Sequence, residues 1–159
     1  MPLQHWNCDV CHDPLSSDPN DGLVVWRDRR VNNRFEYFDF KIVHKTILDA
    51  PEPRRCDPGS AAGYSANLDL DHFLGPNGLA MLLSWLSPGP IKGGDYSHIA
   101  VSDLNAYVDF VRRVQTPFYE EARPRLSDEN TLHWLGDANE YYPYLPDTLR
   151  RVTEDTLGS

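Results

Sequence analysis

Cysteine occurs at three positions in this 159-residue chain, and two of them, Cys8 and Cys11, stand only two residues apart. Two thiolates at that spacing can grip one tetrahedral ion from a single tight turn, whose backbone amides also donate to the sulfurs. An odd cysteine count makes a poor disulfide framework, because one thiol is left over. Closing the tetrahedron takes two further nitrogen or sulfur ligands. Cys56 is the remaining cysteine and therefore the third. For the fourth, the chain offers His5, His12, His44, His72 and the carboxylate of Asp57. His44 is preferred, since it ends the inward row of a predicted strand and precedes Cys56 by a loop long enough for both to converge. His12, beside Cys11, is expected to point away. Cys8, Cys11, His44 and Cys56 would then hold one zinc ion in a closed site with no open position, which favours a structural over a catalytic metal. Three thiolates around a divalent cation leave one net negative charge.

The residues around this set read as a β-hairpin. Residues 16–22, Ser-Ser-Asp-Pro-Asn-Asp-Gly, are turn formers throughout,. Leu23 to Asp28 and Phe35 to His44 then look like two strands joined across Arg29 to Arg34, where Asn32 and Asn33 tolerate turn geometry,. Period-two alternation places Phe38, Phe40, Ile42 and His44 on the inward face and Tyr37, Asp39, Lys41 and Val43 on the other. A polar connection from Asp49 to Gly63 carries Cys56. With its knuckle Cys8-Asp9-Val10-Cys11, trailed by Pro14 and Leu15 and followed by a hairpin, the stretch over residues 5–57 resembles the zinc-ribbon group of small metal modules. It departs from that pattern where His44 and the distant Cys56 replace a second knuckle. The resemblance implies a metal that holds the fold and says little of partners.

Beyond the hairpin the pattern turns helical. A helix starting at Asn77 or Gly78 and running through Leu79 to Leu86 is apolar nearly all round, so it is expected to be the central buried element,. Ser102 reads as an N-cap for a helix over Asp103 to Gln115, and Thr116-Pro117 as the opening of a short helix to about Arg123. A last helix is expected from Pro146 to about Thr156, after the aromatic loop Tyr141-Tyr142-Pro143-Tyr144. The whole reads as α+β, a zinc-stapled hairpin packed on a small helical body. Residues 1–58 form the knuckle and hairpin module. Residues 59–159 form an acidic helical part, expected to be one cooperative unit with the first.

Charge separates these two parts. Residues 1–58 carry 8 Lys/Arg against 10 Asp/Glu, whereas residues 59–159 carry 7 against 14. A duplex-binding domain gains affinity from a basic face, so direct nucleic-acid binding is disfavoured; Arg27, Arg29, Arg30 and Arg34 read as a solvated hairpin turn. The longest strongly apolar run, Leu79 to Leu86, falls short of the ~20 residues of a membrane crossing, and the N-terminus lacks a basic and apolar leader. No membrane association is expected, and thiols kept for metal suit a reducing cytoplasm.

Catalytic signatures are sparse. Asp71-His72, beside a Gly-Pro-Asn-Gly turn, resembles the start of an HNH nuclease motif, in which a histidine activates water beside a divalent ion, but no later His or Asn at suitable spacing supplies a second metal ligand,. There is no nucleophile elbow, no P-loop and no dinucleotide fingerprint; Lys92-Gly93-Gly94-Asp95 reads as a turn. Glu120 and Glu121 with Arg123 and Arg125 read as a solvated helix face. Trp134, Tyr141, Tyr142 and Tyr144 lie amid Asp137, Glu140 and Asp147, the residue types of a protein interface,. The preferred reading is a zinc-stabilised, non-catalytic binding or regulatory protein whose acidic surface meets a protein partner, such as a basic nucleic-acid-binding protein. The alternative is a metal-dependent hydrolase or HNH-like nuclease using Asp71 and His72.

Overall fold

The computed structural model describes residues 3, 5–46, 54–90 and 99–154. Two long strands, β1 (Gly22–Val31) and β2 (Arg34–His44), form the expected hairpin, closed at Asn32-Asn33 with Asn32 in the left-handed region (φ 56°). A third strand, β3 (Ala66–Asp69), pairs antiparallel with β1, and a short β4 (Ile99–Val101) pairs parallel with β2. The sheet order is β3-β1-β2-β4. The helices are α1 (Gly75–Leu86), α2 (Leu104–Gln115), α3 (Tyr119–Ala122), α4 (Glu129–Leu135) and α5 (Pro146–Thr153). The fold is α+β.

Period two does not hold along β2. Val25 faces Lys41 and Arg27 faces Phe38, so Asp39 and Phe40 together oppose Trp26. Asp39 takes the extra place in the left-handed region (φ 55°), the hallmark of a β-bulge,. The bulge inverts the expected faces below it. Tyr37, predicted outward, joins Phe40 against Trp26 and Trp85 at ring separations of 5.2–6.0 Å, while Phe38, predicted inward, lies under the Arg29 guanidinium. The aromatic core continues through Phe73, Tyr107 and Phe110, with Phe40 and Phe110 stacked at 5.0 Å and 12°.

The helix α1 is not the central buried element its composition suggests. It begins at Gly75, and it buries one stripe, Gly78, Leu82 and Trp85, leaving Leu79, Leu83 and Leu86 between 40% and 55% exposed. One helix lying on one sheet can cover only one of its sides. Asp103, one residue after the expected cap, is the N-cap of α2 and accepts from the Ala106 amide at 3.0 Å. The chain after α2 does not enter a helix at Pro117: Phe118 takes a left-handed conformation first (φ 66°), and α3 follows. A second apolar cluster, Tyr119, Ala122, Leu149 and Val152, joins α3 to α5. Thr156, the Lys92-Gly93-Gly94-Asp95 turn and the first part of the connection that carries Cys56 lie outside the described residues.

Candidate metal centre

The knuckle is a miniature hairpin. Asn7 pairs with Pro14, the Leu15 amide donates to the Trp6 carbonyl, and the Cys8 amide donates to the Asp13 carbonyl. His12 turns the chain at φ 65°, leaving its own side chain exposed. The amides of Val10 and Cys11 approach the Cys8 sulfur at 3.4 and 3.5 Å, the contacts expected of a thiolate held in a tight turn,. His44 ends β2 opposite Gly22, and Cys56 comes in from the connection that follows.

These elements bring Cys8, Cys11, His44 and Cys56 together, with their ligand atoms all within 4.8 Å of one another. His44 Nδ1 lies 3.4 Å from Cys11 Sγ and 3.8 Å from Cys56 Sγ. The other ring nitrogen, Nε2, is 3.2 Å from the Pro14 carbonyl. That carbonyl can only accept, so it favours a proton on Nε2 and leaves the Nδ1 lone pair for a metal, the outer contact metal-bound histidines usually have. Arg54 Nη1, which can only donate, stands 3.1 Å from the same Nε2 and competes with Pro14 for it; its guanidinium also pairs with Asp13 at 3.5 Å. His5, His12, His72 and Asp57 are not in the cluster.

The thiols of the cluster are shifted in opposite directions. Burial pushes the Cys8 thiol up, yet the Cys11 and Val10 amides and the nearby His44 outweigh it and hold the group down at about 6. Burial, joined by the Cys11 and Cys8 sulfurs, pushes Cys56 up to about 12. Three sulfurs this close repel one another once ionised, and a divalent cation relieves that repulsion. Cys8 and Cys56 are buried and Cys11 is exposed, so the centre lies just under the surface.

What anchors the knuckle escaped the sequence reading. Asp9, between the two cysteines' turn amides, donates its backbone N–H to the Ile42 carbonyl at 2.8 Å and accepts the Ile42 amide on its carboxylate at 2.7 Å, closing the outer edge of β2. The same carboxylate receives Arg113 Nη1 at 2.8 and 3.1 Å. Arg113, buried in α2, also donates Nε and Nη2 to Glu120 at 2.7 and 2.8 Å and Nη2 to the Asn7 carbonyl. Glu120 is 4% exposed and accepts the Asn7 amide, so it belongs to a buried network and not to a solvated helix face. The only sequence signal was the acidic knuckle residue itself, since its partner is 104 positions away.

Asp69, Asp71 and His72 form a second cluster within 4.8 Å. His72 Nδ1 pairs with Asp71 at 2.9 Å, Lys45 already occupies Asp69 at 3.0 Å, and Asp71 and His72 are exposed. Among the aromatic residues near the C-terminus, Tyr144 is covered by Arg112 at 3.6 Å and Trp134 packs against the apolar cluster of Tyr119, Ala122, Leu149 and Val152, whereas Tyr141 is 60% exposed. The arrangement as a whole is a Cys3His cluster that can bind a metal ion, held to the sheet and to the helices by Asp9. Comparison with protein-family models, curated proteins and solved structures finds no match to this chain.

Proposed function

We propose that Cys8, Cys11, His44 and Cys56 hold one structural zinc ion in a zinc-ribbon-like centre, and that the protein is a non-catalytic binding or regulatory protein. The convergence of three sulfurs and one imidazole within 4.8 Å carries this reading, because soft sulfur with nitrogen in a closed tetrahedral set suits zinc,. In the proposed role the acidic helical half meets a basic protein partner in a reducing, cytoplasmic setting. Exposed Asp128, Glu129, Asp137, Glu140 and Asp147 support it, together with the exposed Tyr141 among them,.

Elemental analysis of purified protein should return one zinc per chain, and Ser at Cys8, Cys11 or Cys56, or Ala at His44, should strip it. Full zinc retention in all of these variants would end the metal reading. A partner recovered by co-purification should bind more weakly as salt rises, since exposed charges are screened over about 10 Å at 0.1 M salt. The second reading, a metal-dependent hydrolase or nuclease, rests on the Asp69, Asp71 and His72 cluster. Magnesium-dependent cleavage of nucleic acid that disappears in His72→Ala would decide for it.

A further inference from the structure

The outer edge of β2 is covered in two places. β4 pairs with Phe35–Tyr37, and the Ser102 amide donates to the Tyr37 carbonyl; farther along, Asp9 closes the edge at Ile42. Between them, from residue 38 to residue 41, no strand among the described residues pairs with it.

The gap opens into a cavity of about 250 Å³ lined by Asp39, Phe40 and Lys41 on the strand side and by Ala106, Asp109 and Arg123 on the helix side. Its floor is the Asp9–Arg113 pair, and Phe110, stacked on Phe40, is its apolar wall. Each side of the mouth carries one ion pair, Lys41–Asp39 at 3.4 Å and Arg123–Asp109 at 2.8 Å, with all four side chains between 31% and 40% exposed. Arg113 has its donors engaged by Asp9, Glu120 and Asn7. The mouth pairs are the more accessible groups, and a guest competes there with the Tyr64 and Arg27 contacts of Asp39 and the Tyr119 contact of Asp109.

From this we infer a binding site for a small zwitterion of amino-acid size, carrying one ammonium and one carboxylate beside an apolar side chain. Size, topology and charge each exclude a rival. The volume is below the roughly 300–1,000 Å³ of ordinary ligand pockets. A peptide strand cannot run along the edge, because β4 and the knuckle block both ends. A simple anion would face the three carboxylates of Asp9, Asp39 and Asp109, and a simple polycation would face Lys41, Arg113 and Arg123. A zwitterion matches both signs: its carboxylate exchanges into Lys41 or Arg123, its ammonium into Asp39 or Asp109, and its side chain lies on Phe40.

The test uses the full, metal-loaded chain, with zinc content measured in the same samples so that loss of metal and loss of ligand are read separately. Backbone amide chemical shifts are followed while L-phenylalanine, then L-leucine, is titrated to about 10 mM, a range that detects dissociation constants near 1 mM. Saturable shifts at Phe40 and Ala106 are expected. 3-Phenylpropanoate, 2-phenylethylamine, orthophosphate and putrescine should each bind at least about tenfold more weakly, a loss of about 1.4 kcal/mol. Lys41→Met and Asp109→Asn should weaken binding, and Ala106→Trp, which fills the mouth from an exposed position, should abolish it with zinc and helical circular dichroism unchanged. Absence of saturable shifts with either amino acid, equal binding of a singly charged analogue, or undiminished binding by Ala106→Trp would overturn the assignment.

Discussion

Asp39 occupies a backbone conformation that few side chains tolerate, and it does so because its carboxylate is held from several sides. Burial raises its pKa, but the Tyr64 hydroxyl, Lys41 and Arg27 lower it further, so the net shift is downward. A carboxyl depressed in the folded state adds stability above its unfolded pKa, and that stability is lost as the pH falls through the folded value. Asp39→Asn should therefore be less stable at neutral pH, by about 1 kcal/mol or less for so exposed a group. The gap from the parent should narrow below the ordinary carboxylate range and close in stronger acid. Urea unfolding of both proteins at matched pH reads this difference apart from acid release of metal; a gap that stays constant with pH would remove the carboxylate from the bulge's support. Gly78 poses a different constraint. A Cβ there would stand 2.1 Å from the Phe73 carbonyl carbon and 2.3 Å from its oxygen, both backbone atoms that cannot swing away. Glycine to alanine inside a helix ordinarily stabilises by up to about 1 kcal/mol. Here the sign should reverse, with Gly78→Ala destabilising by about 1–3 kcal/mol in chemical denaturation.

Among the elements, those specified by local chemistry were legible and those specified by distant partners were not. The hairpin was readable because turn formers and alternating apolar residues lie within one stretch, yet the bulge was not, since one extra residue at Asp39 leaves the run of apolar letters intact. β3 and β4 are four and three residues long, too short for periodicity to speak. The helix α1 misled because an apolar composition does not say how many neighbours will cover it. The same blindness hid the link between elements. Arg113 and Glu120 carry the letters of a wet helix face, and only the folded chain puts them at 3% and 4% exposure with Asp9 above them. A buried ion pair that loses one member leaves an uncompensated charge, which costs about 3–5 kcal/mol. Arg113→Met should approach that loss in urea unfolding, and adding Glu120→Met should restore part of it, because the stranded carboxylate goes with it. A double variant as weak as the sum of the singles would show that the two residues act independently.

At the scale of the molecule, the convergence of Cys8, Cys11, His44 and Cys56 was readable and its consequence for the helices was not. A tight cysteine pair announces itself in sequence, and parity along one strand nominated His44, although the bulge lies four residues or more upstream and leaves the last turn of that parity untouched. The knuckle they form sinks Trp6, Cys8 and Leu15 into the core. It is fastened through the Trp6 indole, which donates to the Arg113 carbonyl, through Asn7 to Glu120, and through Asp9 to both Ile42 and Arg113. Zinc binding in such modules contributes about 10–16 kcal/mol of apparent free energy at neutral pH, comparable with the ~5–15 kcal/mol that stabilises a whole domain. If these residues hold the proposed ion, removing it would free the turn that positions Asp9 and leave Arg113 buried with one carboxylate in place of two. The hairpin and the helical half should consequently fail together. Under a strong chelator, helical circular dichroism and tryptophan fluorescence should fall along one coincident transition, and readdition of zinc should restore both with the same midpoint. Two separated transitions, the fluorescence of Trp6 and Trp26 changing in a Trp85→Phe, Trp134→Phe variant while the helical signal persists, would mean that the Asp9–Arg113 bridge joins two parts that stand on their own.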